Sequence, residues 1–347
     1  MPILSGEIVV RVPTSVNNAT VFAPRIRRLL DDHLGDGVFR IDADTVGVAD
    51  PAVMDAVLRA RPAGPAERPT FKPLRGKEIS RAEAAAVMQA VGQDVRRALK
   101  VAEGTPDLAG TWPHVAHNYL RDLVFGTDPF RLRVMVDRTL ELTTKLTWTT
   151  IAAGAALPGP RSGSALAQRV HGGYAERRHA MGMYRRAAAP VCFTVSALVT
   201  NALWLGAPFA DVPDAYVIAE SARLLPPSWN ILRVASPEFA DLHPLIRPDD
   251  DVLLLPLLSH RDPSLWDEPA AFRPQRWATL DPEEHPGYVP FGHRNERCWG
   301  RHMVLPLAER LLRIVRATGL AVHPRQRTAH VPLAGLLGVD DLRVVHT

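Results

Sequence analysis

Between Arg186 and Asp211 the chain carries no charged residue, and this run, Ala187–Ala210 (AAAPVCFTVSALVTNALWLGAPFA), constrains the fold more than any other feature. A helix needs about 20 predominantly apolar residues to span a bilayer, so length alone permits a membrane segment. Thr194, Ser196, Thr200, Asn201, Gly206 and Pro208 dilute the run, and no second such segment follows. An all-round apolar helix outside lipid has to sit at the centre of a large domain. The run is therefore read as the core helix of a helix-rich chain with no membrane partner.

The remaining composition agrees with that reading. Of 347 residues, 46% are apolar and 22% charged, the mix of a globular chain, and a chain this long buries an ample core without disulfides. There are two cysteines, Cys192 and Cys298, which excludes a disulfide scaffold and fits a reducing compartment. The start, MPILSGEIVV, lacks the basic-then-apolar pattern of a secretory leader, so a cytoplasmic protein is expected. The charge balance, 41 basic against 37 acidic residues, is too mild to imply nucleic acid. The arginines scattered among Tyr and His in Ser164–Arg186 are read as a solvated helix face.

Pattern and breakers predict strands at 8–12, 38–41 and 45–48, with helices at 25–33 and 51–59. A Pro-rich break over 61–73 precedes a helix over 80–101, with Ser80 as its cap. Further helices are expected at 112–123, 131–152, 164–186 and 217–224, and a last one at 303–317 before a tail of short strands. An irregular Pro- and Trp-rich run, 261–290, stands between them, and loops that long in a compact domain are usually functional. The fold class is thus mainly α with small β-sheets (α+β). It is expected as one domain, with a β-rich part over 1–65 and a helix-rich part over 66–347.

Chemistry concentrates at Cys298, in VPFGHRNERCWGRH. It lies where a turn-rich loop meets a helix start, between Gly292 and Gly300 and near Arg294, Arg297 and Arg301. A helix N-terminus and nearby cations both favour a thiolate. The residues leave three readings: an inert core thiol, a zinc ligand with His285, His293 and His302, or a haem ligand shielded by Phe291 and Trp299. The polar flanks disfavour the first, and the absence of a Cys-x-x-Cys pair disfavours the second.

Two further features share its half of the chain. Glu220 and Arg223 stand at i, i+3 on one helix face. Arg276, in Phe272-Arg273-Pro274-Gln275-Arg276-Trp277, lies in the irregular run where it can close a triad with them. In this order, an E-x-x-R pair, a Pro-x-Arg-aromatic meander and a Phe-Gly loop ending in Cys-x-Gly, the sequence resembles the cytochrome P450 family. Arg233 in ILRVAS and the stretch Ser259-His260-Arg261-Asp262-Pro263 add to the resemblance, which is good over about 187–316.

The resemblance implies a shortened P450 fold holding haem b, with Cys298 ligating the iron and favouring O–O cleavage. It implies that Phe291, Gly292 and Gly300 shape the ligand loop. Arg233 would pair with a haem propionate, and Arg75, Arg297 and His260 are expected on the cofactor side. Glu220, Arg223 and Arg276 would form a structural triad that fixes the loop, and Thr194 on the core helix would be the catalytic alcohol. The chain departs from the family pattern at Arg294 and Glu296 in the loop, in a compressed connection before Glu220, and on the core helix, which has no acid beside the alcohol. General acid delivery needs a group within reach. The implied function is a haem-thiolate oxidoreductase, a monooxygenase or an atypical peroxide-driven or redox-neutral enzyme. Its substrate would be a small lipophilic or natural-product intermediate. The implied electron source is a ferredoxin with its reductase, or peroxide. The other reading is a P450-like auxiliary protein that supports a partner enzyme.

Overall fold

The uncharged run forms the second half of a 33-residue helix, Tyr174–Gly206. The sequence reading had divided this segment at residue 186, where charged residues give way to apolar ones. That boundary is one of composition and not of backbone. Arg185 and Arg186 are buried like the residues that follow, and the helix continues through Pro190. A proline inside a helix removes one hydrogen bond and crowds the preceding turn, which bends a helix that packing still holds on both sides.

The computed structural model describes residues 20–60, 81–125, 174–209, 211–292, 297–324, 326, 329–330 and 337–346. The expected strand at 8–12, the Pro-rich break, the Ser80 cap, the helix at 131–152 and Arg75 lie outside these residues. In chain order the first half runs β1 (Thr20–Val21), α1 (Pro24–His33), β2 (Val38–Arg40), β3 (Thr45–Val48), α2 (Pro51–Arg59), α3 (Arg81–Lys100), β4 (Gly110–Trp112) and α4 (His114–Phe125). The second half runs α5 (Tyr174–Gly206), α6 (Asp214–Leu224), β5 (Ile231–Arg233), β6 (Asp251–Leu254), α7 (Arg301–Ala317), β7 (Leu320–Val322), β8 (Ala329–His330) and β9 (Leu342–His346).

Helix α5 is the axis of the bundle, with α3, α4, α6 and α7 packed around it. Its apolar window from Gly182 to Gly206 is long enough to cross a membrane but is mostly buried against these neighbours. Polar residues on α5 are spent on the same packing. Asn201 donates from Nδ2 to the carbonyl of Leu337 and accepts from the amide of Val339. The Ser221 hydroxyl on α6 donates to the carbonyl of Leu198. Gly206 ends α5 against the ring of Phe272: a Cβ there would stand 2.1 Å from the ring edge, so only glycine lets the irregular run close on the core helix.

A four-stranded sheet in the order β2-β3-β6-β5 forms beside the bundle. Strands β3 and β6 are parallel and the outer pairs antiparallel, which brings residues 45–48 alongside 251–254. Val46, Val48, Val252 and Leu254 bury a second small core with Met54, Val57 and Phe239. Asp50 caps α2 by accepting from the amide of Val53 at 2.8 Å, with Pro51 at the first helical position. A three-stranded sheet, β4-β9-β7, and the pair β1-β8 complete the described strands. This mixture of a helical bundle and small sheets is the α+β class expected from the sequence.

Candidate functional site

Helix α6 is apolar enough on every side that all its residues from Val217 to Leu224 are buried, Glu220 and Arg223 among them. Neither charged side chain exposes any surface. Burying ions is costly unless each lone pair and proton finds a partner. Arg223 spends all its donors: Nε and Nη2 go to Glu220 at 3.1 and 2.7 Å, Nη1 to the carbonyls of His260 and Pro269, both at 2.7 Å, and Nη2 also to that of Ala271 at 2.9 Å. Glu220 in turn accepts from the amide of Arg273 at 2.9 Å, from Arg276 Nε at 3.1 Å and from the indole of Trp277 at 3.0 Å. Arg276 uses its remaining nitrogens on the carbonyls of Asp267 and Glu268.

The expected triad is therefore real as geometry, and it is larger than three residues. Trp266 lies beneath both guanidinium groups, 5.0 Å from that of Arg223 and 5.9 Å from that of Arg276. Its indole N–H donates to the carbonyl of Ser259, and its ring stacks on His285 at 3.9 Å. Tyr288 donates to the carbonyl of Ala219 and packs on Trp277. Sequence reasoning missed Trp266, Trp277 and Tyr288 as members of this frame. The signal available was their clustering in an irregular run that has no regular structure to bury them.

The frame reaches the Cys298 loop through His260. This residue was expected on the cofactor side, but it is fully buried and both ring nitrogens are used within the protein. Nδ1 meets the carbonyl of Arg223 at 3.0 Å and Nε2 accepts from the amide of Val289 at 2.8 Å. Those partners require the neutral ring with its proton on Nδ1. Burial, then the Arg223 charge, holds the ring well below its ordinary range. His117 on α4 is buried likewise, and desolvation with the neighbouring Arg121 pushes it down to about 3.

These shifts fix the direction of an acid effect. Both folded-state values lie below the free imidazole value of 6.5, so the unfolded chain takes up these protons first. Their contribution is complete above about pH 6.5 and shrinks as pH falls, by up to about 1.4 kcal/mol per pH unit for each histidine. Asp94, Asp214 and Glu309, raised by burial, act in the opposite sense, their contribution being lost as pH rises through the folded-state values. The urea midpoint is expected to drop clearly from pH 7 to pH 5. A midpoint unchanged over that interval would contradict the assignment of two buried neutral rings.

Beyond Val289 the chain turns at Gly292, whose φ of +85° lies where side chains are strained. The amide of Cys298 donates to the carbonyl of Phe291 at 2.5 Å, and Gly300 begins α7 by accepting from the amides of Met303 and Val304. Cys298 thus stands three residues before α7, and its side chain is exposed. Cys192 is its opposite, wholly buried on α5, where desolvation pushes its thiol up to about 12.

Arg297, also expected on the cofactor side, is tied to the side chain and carbonyl of Glu283, and Arg301 donates to the same carboxylate at 2.9 Å. Burial pushes Glu283 up, but the bonds from Arg301 and Arg297 outweigh it and hold the carboxyl below its usual range. This clamp fastens the exit of the loop to the irregular run. Arg233 ends β5, half-buried, opposite Val252. Thr194 is half-buried on α5. Among the described residues, which do not include His293, no group of three His, Cys, Asp or Glu side chains comes together to hold a metal.

The segment that builds this frame is also the segment shared with known proteins. Residues 215–308 match the family model described as Cytochrome P450. Cyclooctatin synthase of Streptomyces melanosporofaciens is 37% identical over 98 residues, covering 26% of this chain and 21% of that protein. Cytochrome P450 3A56 of Fundulus heteroclitus is 35% identical over 94 residues, covering 26% and 19%. The chain thus matches about a fifth of the length of these curated relatives. In overall fold it is similar to the post-tailoring hydroxylase HmtN of himastatin biosynthesis, with TM-score 0.60, 16% identity and coverage of 93% and 97%. It is likewise similar to a mutant P450 EryK in complex with erythromycin B, with TM-score 0.56, 15% identity and coverage of 93% and 95%.

Residues 215–308 thus match the cytochrome P450 family, in a chain whose overall fold is similar to that of P450 structures.

The P450 match and fold imply a haem held through a thiolate as the cofactor, and the residues present fit such a group. Cys298 has open ground beside it: a Cβ built on Gly300 would meet the Cys298 sulfur at 3.7 Å and nothing else nearby. Leu232 (54% exposed), Val234 (70%) and Trp299 (46%) are apolar surfaces without cover. A macrocycle with an apolar face and an acidic edge needs a cysteine ligand, uncovered apolar side chains and an arginine such as Arg233, and this chain carries each type.

Proposed function

We propose that this chain is a haem-thiolate oxidoreductase in which Cys298 is the iron ligand. The observation that carries the assignment is the contrast between the two thiols: Cys192 is sealed in the core, whereas Cys298 is exposed on a loop held by His260, Glu283 and the start of α7. When bound, the haem supplies oxidative chemistry at an iron enriched by sulfur donation. Arg233 holds a propionate, and Arg75 is a second partner for that edge. Phe291, Gly292 and Gly300 shape the loop without touching the reaction. Glu220, Arg223 and Arg276 act on the loop only through the frame.

The substrate is a small lipophilic molecule of natural-product type. Support comes from the relatives' own names, a cyclooctatin synthase and a hydroxylase of himastatin biosynthesis. On α5, Thr194 offers a half-buried hydroxyl next to Phe193, and no carboxylate lies between Arg186 and Asp211 to recharge it with protons. General acid delivery through this helix is therefore weak, and the proton has to come from water or from the substrate. This favours an atypical, peroxide-driven or redox-neutral reaction over ferredoxin-driven monooxygenation.

The reduced, CO-bound protein is expected to absorb at the position of thiolate-ligated haem. Turnover driven by hydrogen peroxide is expected to match or exceed that driven by a ferredoxin and its reductase. Absorption at the position of nitrogen-ligated haem would overturn the ligand assignment, and strict dependence on the ferredoxin system would overturn the atypical reaction.

A further inference from the structure

Among the described residues, the core holds a cation on α5 that has no counter-charge. Arg186 on α5 is 3% exposed, its Nη1 is buried without a hydrogen-bond partner, and it forms no ion pair. Burial alone lowers its pKa, with no neighbouring charge contributing. An unpaired buried guanidinium is costly to the fold, and chains that keep one usually have a ligand or a partner for it.

Its place on the helix indicates where such a ligand lies. Along α5, Ala189, Pro190, Phe193 and Thr194 are half-buried, while the residues between and around them are buried. These positions are i+3, i+4, i+7 and i+8 from Arg186, so all five lie on one stripe. The other faces are occupied: Tyr184 donates to Asp94 at 2.5 Å, Cys192 is sealed in the core, and Leu198 receives the Ser221 hydroxyl. Pro190 has no amide proton, so the carbonyl of Arg186 also lacks its helical donor.

We infer that Arg186 is a specificity-determining residue that binds the anionic end, a carboxylate or a phosphate, of a lipophilic substrate lying along this stripe. The inference rests on the proposed oxidoreductase reading for its substrate but not for its anion site. At 1.5 Å per residue, Arg186 and Thr194 are about 12 Å apart along the helix. A chain anchored by its charged head at Arg186 therefore presents its apolar far end at Thr194 and Phe193. Reaction is directed to carbons remote from the charged group.

The probes are dodecanoate, dodecyl phosphate and methyl dodecanoate, with binding to the haem-loaded protein followed by calorimetry and by the haem spin-state spectrum. At least one anion is expected to bind about tenfold or more tightly than the ester, with the preference weakened at high salt. Tight binding of dodecanoate identifies a carboxylate site, and tight binding of dodecyl phosphate alone identifies a phosphate site. Arg186→Leu should erase the preference while haem content and the melting curve hold, and Arg186→Lys should retain part of it. If Arg186→Leu does not fold, the Arg186→Lys series and the salt dependence of the native protein carry the test. Equal affinity for acid and ester, failure of both anions to bind, or a preference that survives Arg186→Leu would each overturn the assignment. Calorimetry reads the anion preference even if the CO spectrum disproves the thiolate, so the two failures are distinguishable.

Discussion

Arg223→Ala is expected to leave no stable haem-loaded protein. The substitution strips Glu220 of its bidentate partner and frees the buried carbonyl of His260 and the half-buried carbonyls of Pro269 and Ala271. Removing one member of a buried ion pair costs about 3–5 kcal/mol, and each orphaned buried acceptor adds about 1–3 kcal/mol. A domain is stable by only about 5–15 kcal/mol in total. The sum reaches that margin. Arg223→Lys should not rescue it, because an ammonium has three donors in no fixed plane where the site uses five in a fork. Circular dichroism and haem content of the purified variant check this. A folded, haem-replete Arg223→Ala protein would mean that the frame does not hold the loop.

The second large effect is expected at Cys298→Ser. The sulfur takes no part in the packing of the frame, so the variant should fold and melt like the parent. Its haem, if retained, should lose the thiolate signature completely in the reduced, CO-bound spectrum. The pair of variants separates two roles that a simple activity assay would confuse, since one removes the fold and the other only the ligand. A Cys298→Ser protein that keeps the thiolate spectrum would reassign the ligand, and burial of Cys192 leaves no ready replacement.

What was legible in the sequence was local or ordered along the chain. The Glu220–Arg223 pair follows from helical spacing, Cys298 from its glycines and basic neighbours, and the core helix from its lack of charge. Contacts across the irregular run were not legible, because no periodicity dictates its path. His260 illustrates this. Its position suggested the cofactor side, whereas its two ring nitrogens join α6 to the ligand loop. Arg297, which the resemblance sets on the cofactor side, donates to both the carboxylate and the carbonyl of Glu283. The division of the core helix at residue 186 failed because burial extended past the change in composition, which no single-residue property marks.

The half-open stripe on α5 and the buried frame behind Cys298 belong to separate stretches of chain, residues 186–194 and 220–289. A substitution on the stripe touches no hydrogen bond of the frame. On the proposed reading, the molecule is divisible into a part that decides whether the pigment is kept and a part that decides which guest is admitted. A chain organised this way can acquire a new diet by redrawing a few residues of one helix while its colour stays the same.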